Sequence, residues 1–287
     1  MGKKGNERAA SRFDRKPPRY AMNIETVILD MDGVVFRGQS AIPGAREAVD
    51  AMEREGLGVF FLTNNGSRTR KHFLGKLLSA GIRTSEEKVY STSYGAVKYI
   101  EENFPGKSVY VINEMARDEF LEAGLACEES EKAEVVVAGL DRKLTYEKLA
   151  LAFRAIVNGA EFIATNEDPS YPVEDGLLPG AGAIVAALAY STGRKPIVVG
   201  KPEPYMLDLI VREHGLEKGK ALMVGDKLET DILMAKEEGM VSALVLTGVT
   251  SRAEAMQGRI KPDFVLDSIR EIPGMIRNLE ATRRSQI

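Results

Sequence analysis

Four short clusters hold residues whose types and spacing could do chemistry together: Asp30-Met31-Asp32-Gly33, Thr63-Asn64-Asn65-Gly66, Gly200-Lys201-Pro202, and Gly225-Asp226 with Asp231 five residues on. Each comes directly after a short apolar run, ending at Leu29, Leu62, Val199 and Val224 respectively. In an open parallel sheet, ligands sit outside the carboxyl ends of strands, where loop amides and helix N-termini also point. Four such ends would gather three or four carboxylates, a hydroxyl and an ammonium in one crevice. Carboxylates packed together repel unless a cation joins them. Oxygen ligands with no His or Cys nearby suit Mg²⁺. A divalent metal beside a lysine and a threonine hydroxyl is what a phosphoryl group needs around it.

Each cluster alone has an ordinary explanation. Asp-x-Asp is common at turns and helix starts, where short carboxylates cap free amides. Thr63-Asn64 reads equally as a helix cap, Lys201 as a surface lysine and Gly225-Asp226 as a turn. What separates the catalytic reading is that all four follow a buried strand, in an order that converges on one site.

The elements that must position these groups are legible as apolar runs alternating with amphipathic helices. Residues 26–29 and 58–62 read as buried strands, with a helix over 43–55 between them (Ala45, Ala48, Val49 and Met52 on one face). A second helix over about 68–79 stops at Gly81. Further strands are expected at 196–199, 221–224, 243–246 and 264–266. Continuous β-branched runs separated by helices indicate a parallel sheet covered on both faces. The stretch 103–190 has strands of its own at 108–112, 134–138 and 161–164, and a helix over 145–158 started by Thr145. It reads as a second α/β module inserted into the first. The expected organisation is thus α/β: a Rossmann-like parallel-sheet core over 21–102 and 191–287, an insert over 103–190, and a flexible tail over 1–20.

Composition agrees with a globular enzyme. The 287 residues are 44% hydrophobic and 28% charged, which excludes a disordered chain, a collagen-like fibre or a coiled coil. No run approaches the ~18 apolar residues of a membrane span. A single cysteine, Cys127, excludes an internal disulfide and suits a reducing cytoplasm. The first twenty residues hold seven Lys or Arg against two acids, a net of +5 in a chain whose total is −3. They have no apolar core, so they are not a secretory signal. Such an arm can touch nucleic acid, but without interleaved aromatics it reads as a solvated tail, and nucleic acid is not an expected partner.

The four clusters, as Asp30-Met31-Asp32-Gly33-Val34, Leu62-Thr63-Asn64, Gly200-Lys201-Pro202 and Gly225-Asp226-Lys227-Leu228-Glu229-Thr230-Asp231, resemble the four motifs of the haloacid dehalogenase superfamily of phosphohydrolases. The long insert between the second and third resembles the cap of the class IIA, NagD-like (para-nitrophenyl phosphatase) branch, as do its segments 164–169 and 176–183. The likeness covers residues 24–280 and leaves out the tail. Lys227 stands where many relatives carry Arg, which keeps the charge but loses the planar fork.

The resemblance implies a role for each residue. Asp30 is the nucleophile that forms an aspartyl-phosphate. Asp32 protonates the leaving alkoxide and then deprotonates the hydrolytic water. Mg²⁺ is held by the Asp30 carboxylate, the Asp32 carbonyl and Asp226, with Asp231 supporting that shell. Thr63 and the amides of Asn64 and Asn65 hold phosphoryl oxygens, and Lys201 offsets charge between phosphate and nucleophile. An acid at position 32 points to a phosphatase rather than a dehalogenase, since a halide leaves without a proton. The expected reaction is Mg²⁺-dependent hydrolysis of a small-molecule phosphate monoester (nucleotide, sugar, glycerol or glycolate phosphate), with a cap that closes over the leaving group. Tyr146, Asn166 and Asp168 are candidate cap contacts. The resemblance also leaves open homo-oligomerisation through the cap.

Rival chemistries fail on residues. A cysteine phosphatase needs Arg six positions after its Cys, and Ala133 stands there. His72 and His214 lack metal-ligand spacing and read as surface residues. Gly200-Lys201 has no P-loop glycine before it. The glycines from Gly180 imitate half a dinucleotide fingerprint but follow Pro179 rather than a strand, so they read as a tight helix start. Two other functions remain: transfer to an acceptor other than water, as in a mutase, and a non-catalytic phosphate-binding module with a nucleic-acid-binding tail. The presence of Asp30, Asp32, Lys201 and Asp226 together weighs against the second.

Overall fold

A computed structural model of the protein describes residues 23–173 and 176–284. The basic tail over 1–20 lies outside the described residues. In chain order the strands are β1 (Thr26–Asp30), β2 (Phe36–Arg37), β3 (Ser40–Ala41), β4 (Gly58–Thr63), β5 (Val89–Ser91), β6 (Val109–Ile112), β7 (Val135–Ala138), β8 (Glu161–Ala164), β9 (Ser170–Val173), β10 (Gly176–Pro179), β11 (Ile197–Val198), β12 (Ala221–Gly225), β13 (Val241–Val245) and β14 (Phe264–Leu266). The helices are α1 (Ala45–Arg54), α2 (Arg70–Ser79), α3 (Thr92–Asn103), α4 (Arg117–Glu122), α5 (Tyr146–Val157), α6 (Ala181–Thr192), α7 (Tyr205–His214), α8 (Leu233–Glu237), α9 (Arg252–Gln257) and α10 (Ile272–Arg284).

Six strands form one parallel sheet in the order β14-β13-β12-β1-β4-β5. Alternation along the central strand explains the two layers of helix. Val27 and Leu29 of β1 face a cluster with Val49 and Met52 of α1 and Ile272 and Ile276 of α10. Ile28 points the other way, to Met206, Leu207 and Ile210 of α7 and Met234 of α8. Every residue of β1 is buried, and full burial of each large aliphatic side chain contributes ~1.5–3 kcal/mol.

The insert forms a second parallel sheet, β11-β8-β7-β6. One face packs on α5 and α6 through Ala152, Ile156, Ile184 and Leu188. The other packs on Ala96, Val97 and Ile100 of α3 and Phe120 of α4. Two placements differ from the sequence expectation. The run 196–199 was expected in the main sheet, but Ile197–Val198 pairs with β8 and edges the second one. Helix α3, read on the core side of the boundary, covers the back of the second sheet. A β-branched run announces a strand but not its sheet, and both segments lie at the crossings between units, where local pattern does not choose sides.

The antiparallel pairs β2-β3 and β9-β10 are short hairpins that carry no sequence signal beyond their glycines. Because Gly176–Pro179 is a strand, the glycines from Gly180 do follow one. It is an exposed strand in an antiparallel pair, however, so no buried parallel strand feeds a dinucleotide loop. Thr145 caps α5 by accepting from the Lys148 amide, and Gly81 adopts φ +77 just past α2. Both were the expected boundary signals. Among the described residues, no helix is long and apolar enough to cross a membrane.

Candidate active site

The carboxyl ends of the two sheets face each other, and Asp30, Asp226, Asp231 and Lys201 meet between them. Asp30 ends β1, Thr63 ends β4 and Asp226 follows β12, all from the main sheet. Lys201 arrives from the second sheet, just beyond β11. The crevice is therefore built from three ends of one sheet and one end of the other, not four ends of one.

Lys201 joins the acidic groups. Its ammonium donates to Asp30 Oδ1 at 2.5 Å and Asp231 Oδ1 at 2.6 Å, and all three side chains are buried. The carboxylates of Asp30, Asp226 and Asp231 offer oxygens that lie within 4.8 Å of one another, a donor set that fits a hard divalent cation. Burial pushes the Asp30 carboxyl well above the ordinary range against the opposing Lys201 charge, and Asp231 and Asp226 push it further. Asp226 is raised to about 6, by burial first and then by the Asp231 charge. Burial alone would depress the Lys201 ammonium, but Asp231 and Asp30 hold it above the ordinary lysine range. Three buried carboxylates beside one buried ammonium make a site whose acidic excess a divalent cation would offset.

Backbone detail explains how Asp226 and Asp231 reach these places. Asp226 Oδ2 accepts from the Val249 amide at 2.7 Å, in the loop after β13. Gly33 and Gly248 flank the carboxylate so closely that a Cβ on either would overlap it, and Gly33 also needs its φ of +88. Asp231 lies in a single π-helical turn, Leu228–Ile232, packed against Gly225. Its Oδ2 accepts from the Lys227 amide at 3.1 Å. Asp231 was expected to support the metal shell; the structure puts it directly among the three carboxylates.

Asp32 stands apart from the three carboxylates. Its side chain is 45% exposed, and Lys76 Nζ lies 3.7 Å from Oδ1. Thr63 is buried, and its Oγ1 accepts from the Asn65 amide at 3.0 Å, so the hydroxyl proton is the group it has to donate. The Asn65 amide thus faces the Thr63 hydroxyl, and the Asn65 Oδ1 accepts from the Ser67 amide at 3.0 Å. The Asn64 side chain is likewise committed within the protein. Its Nδ2 donates to the Lys201 carbonyl at 2.9 Å and its Oδ1 accepts the Lys201 amide at 2.8 Å. Asn64 is thus a clasp on the Lys201 backbone.

The same clasp reaches the insert. Asn64 Nδ2 also contacts Asp168 Oδ2 at 3.2 Å, and Asp168 Oδ1 accepts from Lys227 Nζ at 3.0 Å. Asn166 Nδ2 donates to the Asn64 carbonyl at 2.7 Å. Asn166 and Asp168 therefore tie the two units beside the site, whereas Tyr146 stands 81% exposed at the head of α5. Sequence reasoning missed Lys76, Lys227 as a partner of Asp168, and Gly248. The last had a usable signal, since Thr247-Gly248 also follows a buried strand. Of the rejected residues, Cys127 has its thiol pushed up by burial, as suits an inert cysteine. His72 is exposed as expected. His214 is not a plain surface residue: it is half-buried, 2.9 Å from the Tyr90 hydroxyl, with its ring centre 4.5 Å from that of Phe60.

Known proteins share the fold and much of the sequence. Residues 27–126 match the haloacid dehalogenase-like hydrolase profile, and residues 198–272 match a second, HAD-hydrolase-like profile. A 5'-nucleotidase of Bacillus subtilis, YutF, is 40% identical over 244 residues, covering 85% of this chain and 95% of that protein. The crystal structure of a 4-nitrophenylphosphatase from Thermotoga maritima superposes with a TM-score of 0.85 at 33% identity, over 91% of this chain and all of the other (100%). NagD from E. coli K-12 superposes with a TM-score of 0.79 at 30% identity, over 87% and 98% of the two chains. The chain belongs to the haloacid dehalogenase-like hydrolases, in the NagD-like class IIA branch of phosphatases.

Proposed function

We propose that the protein hydrolyses small-molecule phosphate monoesters with Mg²⁺, through a phosphorylated Asp30. The observation that carries this reading is the buried contact of Lys201 with Asp30 and Asp231 beside Asp226. It supplies a nucleophile, a cation and a metal-binding carboxylate pair in one crevice. Asp30, Asp226 and the Asp32 carbonyl would hold the metal, which when bound would neutralise charge on the phosphoryl oxygens.

Asp30 attacks phosphorus through Oδ2, since Oδ1 is taken by the ammonium. The P–O bond to the leaving group breaks, and Asp32 passes a proton to the departing alkoxide. Asp32 then takes a proton from the water that attacks the acyl phosphate, which releases inorganic phosphate and restores the Asp30 carboxylate. The exposure of Asp32 suits a group that meets alcohol and water in turn. Thr63 donates its hydroxyl to a non-bridging oxygen, and Lys201 holds Asp30 against the charge of the incoming phosphate. The insert serves as the cap: its β8-to-β9 loop, through Asn166 and Asp168, stands over the phosphate-binding end of β4.

Nucleoside monophosphates and sugar, glycerol and glycolate phosphates form the substrate class, in a reducing cytoplasm consistent with one free cysteine. The test is turnover of para-nitrophenyl phosphate by the wild type with Mg²⁺, with EDTA, and by Asp30→Asn. Loss of activity in both of the last two supports the reading. An Asp30→Asn variant as active as wild type would falsify it.

A further inference from the structure

We infer that Lys76 is a positioning residue for Asp32, an inference that rests on the acid–base role proposed above. Lys76 lies in the last turn of α2, where a lysine would ordinarily extend into solvent. Instead its side chain is only 16% exposed and crosses to the hairpin β2-β3. The ammonium donates to the Gly38 carbonyl at 2.9 Å, lies 4.2 Å from the centre of the Phe36 ring, and stands 3.7 Å from Asp32 Oδ1. These contacts all come from one folded-back stretch, for Asp32 forms a β-bridge with Phe36, and the Gly33 amide donates to the Phe36 carbonyl at 2.7 Å.

The arrangement has a mechanical consequence. A short carboxylate that is nearly half in solvent samples several rotamers, and proton transfer needs it within hydrogen-bond reach of the leaving oxygen. A fixed cation beside Oδ1 favours one rotamer and leaves Oδ2 for the proton. The Gly38 and Phe36 contacts fix the cation itself, so Lys76 couples the hairpin to the orientation of Asp32. The ordinary alternative is that Lys76 merely fastens the hairpin to α2, and the two roles differ in which substrates suffer when the lysine is removed.

The experiment compares kcat/KM for an alkyl phosphate, glycerol phosphate, with that for para-nitrophenyl phosphate. This constant covers steps up to departure of the alcohol. An alkoxide needs the proton from Asp32, and nitrophenolate leaves without one. Lys76→Met, which keeps the stem over Phe36, is expected to lower kcat/KM about 10-fold for the alkyl ester and no more than about 2-fold for the aryl ester. Lys76→Arg should recover most of the alkyl rate. Should Lys76→Met fail to fold by circular dichroism, Lys76→Gln carries the same comparison. Equal losses on both esters would overturn the inference and leave Lys76 as a hairpin fastener. Asp32→Asn is the control that separates the two levels. If it shows the leaving-group-dependent loss and Lys76→Met does not, only the Lys76 inference falls. If Asp32→Asn keeps the alkyl rate, the role of Asp32 falls and this inference falls with it.

Discussion

Asp226 is ionised at neutral pH only at a cost, because burial and the Asp231 charge raise its carboxyl to about 6 against an ordinary 3.8. A group raised in the folded state stabilises fully below its unfolded value and loses that contribution as pH rises through its folded value. The displacement is worth ~3 kcal/mol at the low-pH limit. Between pH 5 and pH 7.5 the metal-free protein should forfeit roughly half of it, by integrating the linkage relation over that window. Asp226→Asn removes the titration while keeping an oxygen for the Val249 amide, so it is the right reference. The assay is urea unfolding of both proteins in EDTA across that range. The gap between wild type and variant should widen with pH in the variant's favour by at least that amount, since neutralising Asp226 also relieves Asp30. Saturating Mg²⁺ should erase the wild-type loss, because a bound cation supplies the missing charge. Parallel curves for the two proteins in EDTA would refute the view that this carboxylate is held against its ordinary titration.

Gly248→Ala should abolish most activity, at least about 10²-fold in kcat, because the new Cβ overlaps the Asp226 carboxylate; phosphatase assays alongside circular dichroism read this directly. Asn64→Ala removes both bonds to the Lys201 backbone, and thermal unfolding should show a loss of about 2 kcal/mol with a fall in kcat. Lys227→Met leaves Asp168 without its ion-pair partner beside the site, and should cost about 1–3 kcal/mol by urea unfolding, with Lys227→Arg restoring most of it.

What the sequence made legible was whatever local pattern determines. The strands that lead to Asp30, Thr63 and Asp226 are buried along nearly all their length, so their apolar runs are continuous and the reactive residue stands where the run stops. Helix α1 carries an apolar face, and α5 carries both a face and a boundary signal at Thr145. The misplaced segments obey different rules. Ile197–Val198 is a half-buried edge strand whose partner is set by the closure of the second sheet, more than thirty residues away in β8. The grip of the Asn64 side chain on the Lys201 backbone had no sequence signal either, because the two segments lie 137 residues apart. The link from Lys76 to Asp32 has no sequence signature, since it joins a helix face to a hairpin through one flexible side chain. Contacts of this kind depend on tertiary geometry, and the residues that make them have no spacing to betray them.

Phosphorylation of Asp30 during turnover can be caught by chemical trapping. Enzyme turning over para-nitrophenyl phosphate with Mg²⁺ is quenched in acid, reduced with borohydride and digested for mass spectrometry. An acyl phosphate is reduced to the alcohol, so homoserine is expected at position 30 in a fraction of molecules, with none in enzyme quenched without substrate. Active enzyme in which position 30 remains aspartate, or in which another residue carries the modification, would contradict it.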